Sequence, residues 1–189
     1  MQEVLCTICG KNEATTEDHL PPKGIYPRQD RNMKMHWVPA CSSCNGEGSK
    51  ADEEFKLFMG LETGGFREKQ QQLLDSLAGT ISHNRRLANQ VFSSYHKLYA
   101  RYRGPIAEKV VAIEFSTNSY HLVISRIVRG LYWRETHNPL GLEPRIKVFP
   151  AYSLDMNTAC SFKELMDMLP PKKLNKGTFV YKVLSLIHI

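Results

Sequence analysis

The chain of 189 residues carries 25 basic and 19 acidic side chains, a formal net charge of +6 at neutral pH, and 42% of its residues are hydrophobic. That share suffices for a buried core, yet no apolar run approaches the roughly 18 residues of a membrane span, so a membrane protein is not expected. The polar start Met1-Gln2-Glu3 has no secretory character, which points to a reducing cytoplasm where cysteines favour metal over disulfide.

In chain order, the first feature is the pair Cys6 and Cys9, answered by a second Cys-x-x-Cys at Cys41 and Cys44. Thiolates two residues apart close on one metal through a tight knuckle, and two such knuckles complete the tetrahedral sulfur site that Zn2+ prefers. The 31 residues between them become a loop fixed at its base. Residues 15–20 and 35–40 read as strands, with Pro21, Pro22 and Pro27 breaking the chain between them, so a short hairpin is expected. It carries Asp18-His19, and Asn45 follows the last cysteine directly. Residues 49–62 read as a helix with Ser49 as N-cap, Asp52, Glu53 and Glu54 at the positive end of its dipole, and Phe55, Phe58, Met59 and Leu61 as its apolar face. Cys160 has no partner in sequence and reads as a small buried apolar residue.

Asp, His and Asn at the mouth of such a loop are chemically suggestive. Hydrolysing a phosphodiester needs a base to take a proton from water and relief for the charge that builds on the phosphoryl oxygens. A histidine suits the first task at neutral pH, and Asp and Asn oxygens suit Mg2+ or Mn2+ better than zinc.

The string Glu17-Asp18-His19-Leu20-Pro21-Pro22, followed by Val38-Pro39-Ala40-Cys41-Ser42-Ser43-Cys44-Asn45, resembles the HNH (His-Me finger, ββα-metal) endonucleases, in the branch with a four-cysteine zinc site of the recombination endonuclease VII type. The resemblance covers residues 4–62. It implies a metal-dependent hydrolase of phosphodiester bonds, acting on nucleic acid and above all DNA. His19 would be the general base, Asp18 and Asn45 the ligands of a catalytic Mg2+ or Mn2+, and Cys6, Cys9, Cys41 and Cys44 the ligands of a structural Zn2+. The middle signature position, usually Asn, is His36 here and would orient the base loop. A lysine often follows the last signature residue by three; here Lys50 follows Asn45 by five and is the candidate at phosphate.

Beyond Gly64-Gly65 the composition shifts. Residues 66–77 read as a polar helix, and 81–103 as one long helix in which Ala88, Val91, Phe92, Tyr95, Leu98, Tyr99 and Tyr102 recur at spacings of three and four. Residues 109–116 read as a strand, 119–134 as an amphipathic helix, 145–149 and 178–183 as short strands, and 161–168 as a helix between them. The expected fold is α+β: a nuclease module over residues 1–62, a helical connector over 63–104, and a small mixed domain over 105–189. The ending Leu184-Ser185-Leu186-Ile187-His188-Ile189 reads as translated sequencing adapter rather than native chain.

Charge divides unevenly along this plan. Residues 1–62 hold 7 basic and 10 acidic side chains, and between Asp75 and Glu108 there is no acidic residue at all. Arg85, Arg86, Lys97, Arg101 and Arg103 would then form a basic helical face with interleaved tyrosines, suited to a nucleic-acid backbone. Arg126, Arg129 and Arg134 are a second candidate surface. Two other readings fit the same residues: a zinc-dependent nucleic-acid or protein-binding module without catalysis, and a nuclease effector switched on by a protein partner. A homodimer is compatible with each.

Overall fold

The computed structural model describes residues 4–26, 31–61, 68–100, 108–142, 145–149 and 155–183. These form helices and three two-stranded antiparallel sheets, and no helix among them is long and apolar enough to cross a membrane. Chain contacts divide the protein into two units, one of residues 1–23, 30–47 and 124–189, the other of 24–29 and 48–123. This is not the consecutive division at about 63 and 105 expected from composition. Residues 1–62 belong partly to each unit, because 24–29 and the part of α1 (Ser42–Leu61) after Glu47 fall in the second; α4 (Thr117–Thr136) is divided likewise. The ending 184–189 lies outside the described residues.

In the first unit, β1 (Thr16–Leu20) pairs with β2 (His36–Ala40) from Thr16 opposite Ala40 to Leu20 opposite His36. Alternation does what a half-buried strand requires: Asp18 and Leu20 turn inward, while Glu17 and His19 stay exposed. The second half of α4 crosses the buried face. Gly130 sits where a Cβ would stand 2.8 Å from Cδ1 of Leu20, so glycine is what permits that approach. Farther on, α5 (Met156–Asp167) is capped by the Asp155 carboxylate, which accepts from the Thr158 amide, and β5 (Lys172–Leu174) pairs with β6 (Phe179–Tyr181).

Asn175, buried in the turn between β5 and β6, closes the open end of the hairpin. Its Nδ2 donates to the Leu20 carbonyl at 3.1 Å, and its Oδ1 accepts from the His36 amide at 2.9 Å. Those two residues are the last pair of the ladder, so the side-chain amide continues the pairing where the strands diverge. Its φ of 50° lies in the left-handed region, which asparagine tolerates better than most residues. Asn175→Ala is expected to cost about 1–3 kcal/mol for each backbone group left unpaired, seen as a lower urea midpoint. Asn175→Asp, which keeps only the acceptor, should fall between.

In the second unit, the later turns of α1 pack with α2 (Glu68–His83) and α3 (Arg85–Ser93), while β3 (Tyr95–Ala100) and β4 (Glu108–Ile113) pair as a ribbon. Its core is Leu57, Leu77 and Leu87, flanked by Ile81, Val91 and Phe115. Phe55, Phe58, Phe115 and Tyr120 meet in tilted and edge-on contacts beside it.

The long helix expected over 81–103 does not exist. Asn84 interrupts it by accepting from the Leu87 amide and starting α3 afresh. Residues 95–100 then form β3, whose ladder with β4 sets Tyr95 opposite Ile113 and Tyr99 opposite Lys109. The helix expected from Ser49 begins seven residues earlier at Ser42, so Ser49 is not its cap. No strand forms over 145–149, the strand at 178–183 is shortened to Phe179–Tyr181, and its partner β5 was not anticipated. Cys160 is exposed rather than buried.

Candidate metal centre and the Asp18-His19 hairpin

The knuckle around Cys6 and Cys9 is built by backbone. Gly10 donates to the Cys6 carbonyl at 2.7 Å, Cys6 to the Asn12 carbonyl at 2.8 Å, and Thr7 to the Pro39 carbonyl of β2 at 2.9 Å. Gly10 has a φ of 65°, and an added Cβ would stand 3.0 Å from the Gly141 backbone, so the turn is restricted to glycine twice over. From β2 the chain enters Cys41 directly, and Cys44 lies in the first turn of α1.

All four sulfur atoms lie within 4.8 Å of one another, and none is in a disulfide. Cys6, Cys9 and Cys41 are buried and Cys44 partly so. The Cys44 backbone amide draws the Cys41 thiol down to about 7, whereas burial and then the neighbouring sulfurs push Cys44 up. Packed this closely, the thiolates cannot all carry charge without a compensating cation. Four soft donors in a closed set are what zinc takes, and the cluster can hold a zinc ion.

One face of β1 is spoken for. The Asp18 carboxylate accepts from Nη2 of Arg126 at 2.7 Å, and the two side chains are 11% and 4% exposed. Asn45, next after Cys44 in α1, donates from Nδ2 to the Glu17 carbonyl at 3.1 Å and to Thr16 Oγ1 at 3.3 Å, which ties the helix start to the strand just before Asp18-His19. His19 projects from the other face, exposed and opposite Trp37 in the ladder.

The Asp18 carboxylate, expected with Asn45 on a catalytic divalent cation, does not stand free here: a buried guanidinium holds one of its oxygens. Arg126, Arg129 and Arg134 do not form a free basic surface either: the first two are buried, and Arg134 Nη1 donates to His36 Nδ1 at 3.0 Å. Since a guanidinium only donates, that bond needs the neutral imidazole. Burial, then the charges of Arg134 and Lys34, lower the His36 pKa in the same direction.

Of the other candidates, Lys50 is exposed on α1, and Arg85 is exposed on α3. Arg86 is bonded to Glu53 and Glu54 at 3.1 and 2.9 Å. Lys97 is on β3, and Arg101 and Arg103 lie outside the described residues. Arg126, Arg134 and Asn175, which hold the hairpin, were not recognisable as its partners from spacing. No family model, curated protein or solved structure matches the chain.

The Asp18–Arg126 pair has a measurable consequence. Breaking a buried pair from one side leaves an uncompensated charge, so Asp18→Ala is expected to lower unfolding free energy by about 3–5 kcal/mol. Replacing both partners with apolar residues, as in Asp18→Leu with Arg126→Met, should recover most of that loss in the same urea titration.

Proposed function

We propose that the chain is an endonuclease of the His-Me finger type that hydrolyses phosphodiester bonds, DNA first among them, with His19 as general base. The observation that carries this reading is the tie from Asn45 to β1, at the Glu17 carbonyl and the Thr16 hydroxyl. It joins hairpin, cysteine cluster and helix start into a ββα arrangement that leaves the His19 imidazole facing solvent, where a substrate can reach it. Trp37, 49% exposed and paired with His19 across the ladder, offers an aromatic face beside it.

In this mechanism the His19 imidazole removes a proton from water and the resulting oxygen attacks phosphorus. The bond from phosphorus to the departing oxygen then breaks, and that oxygen is protonated from solvent. Asn45 positions the strand that carries the base, and Cys6, Cys9, Cys41 and Cys44 would hold a zinc ion that would keep the knuckles at the hairpin's base closed. Asp18 serves the fold through Arg126 and is assigned no chemical step.

The zinc-stapled binding module without catalysis is the second reading, and the engagement of Asp18 by Arg126 is what favours it. Incubation with supercoiled plasmid, in separate arms with Mg2+, with Mn2+ and with neither, decides between the two. Relaxed or linear product in any arm that is lost in His19→Ala supports the enzyme. Plasmid left intact in every arm, with binding retained, favours the module.

A further inference from the structure

The ribbon of β3 and β4 has two chemically different faces. Tyr95, Lys97 and Tyr99 alternate onto one of them, and Lys109 stands there too, opposite Tyr99 in the ladder. Lys97 Nζ lies 5.9 Å from the Tyr95 ring centroid, which places both side chains on the same side. The tyrosines are open to solvent, Tyr95 at 42% and Tyr99 at 74%, and both lysines are exposed. The acidic neighbour Glu114 is held by His96, at 3.2 Å, and His96 points to the other face.

We infer that this face binds single-stranded nucleic acid, the two tyrosines stacking on unpaired bases and Lys97 and Lys109 meeting the phosphates between them. Alternate side chains on a strand stand about 7 Å apart, so aromatic, cation, aromatic is a repeating pattern rather than a patch. Its charge complements a polyanion, and no acidic residue lies between Asp75 and Glu108, the stretch that contains β3. A second copy of the chain is a poorer occupant, since interface cores are depleted in lysine, and here a lysine separates the two aromatics. Duplex is poorer as well, because its bases are stacked on one another and offer no free face to a tyrosine. The inference concerns binding in the second unit and stands apart from cleavage by His19.

The test measures fluorescence anisotropy of a labelled oligo(dT) strand and of a duplex of equal length, using zinc-loaded full chain without Mg2+ or Mn2+, so that no cleavage is needed for a signal. The single strand should bind more tightly. Tyr95→Ala and Tyr99→Ala should each weaken it by about 5- to 150-fold, Tyr99→Phe should retain the affinity, and duplex binding should change little. Lys97→Ala and Lys109→Ala should each flatten the salt dependence by about 0.7 in log–log slope. Because all four side chains are exposed, melting temperatures should be unchanged, which excludes misfolding as the cause. Tighter binding of duplex, or single-strand affinity indifferent to the tyrosines, would overturn the inference. So would a chain that binds no strand and forms a dimer dissolved by Tyr99→Ala. Loss of plasmid cleavage in His19→Ala with oligo(dT) binding intact leaves it standing.

Discussion

Cys41→Ala is expected to abolish stoichiometric zinc binding and to unfold the knuckle end of the first unit. The reason lies in how little else holds that end together. The buried cluster there is Cys6, Ile8, Cys9, Ala40 and Cys41, with Cys44 packed against it, and only one of these is a large aliphatic side chain. Apolar burial at about 25 cal/mol per Å2 cannot replace a closed metal site with so few carbons, whereas zinc binding in small modules supplies on the order of 10 kcal/mol that is also folding free energy. Metal content by mass spectrometry and protease sensitivity near residues 6–12 should change together in Cys41→Ala and in Cys6→Ala. Cys160→Ser, at an exposed position remote in sequence from the cluster, should change neither. A Cys41→Ala protein that keeps its zinc and its protease resistance would show that the four sulfurs are not a metal site.

What the sequence made legible, and what it hid, follows from separation along the chain. The cysteine pairs are local signals, and Pro21, Pro22 and Pro27 mark the break between the two strand segments, so knuckles and hairpin could be read directly. The partners of that hairpin could not. Arg126 lies 108 residues from Asp18, and Asn175 lies 155 from Leu20, and no spacing rule connects an arginine on one amphipathic helix to an aspartate on a distant strand. Spacing alone offers Asp18 as a free side chain, whereas the structure pairs it with Arg126. The region 81–103 failed for another reason: Tyr95, Leu98, Tyr99 and Tyr102 satisfy helical spacing, yet the same aromatic residues suit a strand. Pairing with 108–113 decided the matter, and it made Tyr95, Lys97 and Tyr99 one face of a ribbon instead of a helical stripe.

His19→Ala is expected to lower the rate of phosphodiester cleavage by about 100- to 10000-fold, the range a positioned general base supplies, while leaving zinc content and urea midpoint at the parent values. Those two controls are available because His19 is exposed and takes no part in the cysteine cluster. Added imidazole should restore part of the activity, since the truncated side chain leaves space beside an exposed strand face for a small base. Asn45→Ala belongs to a different class. It removes the donor to the Glu17 carbonyl and to Thr16, so it should reduce rate and stability together and should not respond to imidazole. Asp18→Ala differs again: its effect should follow the loss of folding free energy from the orphaned Arg126 and vanish from the rate once measured on the remaining folded fraction. A His19→Ala protein as active as its parent, with zinc and stability intact, would remove His19 from the chemistry and leave the zinc-stapled binding module as the function of this chain.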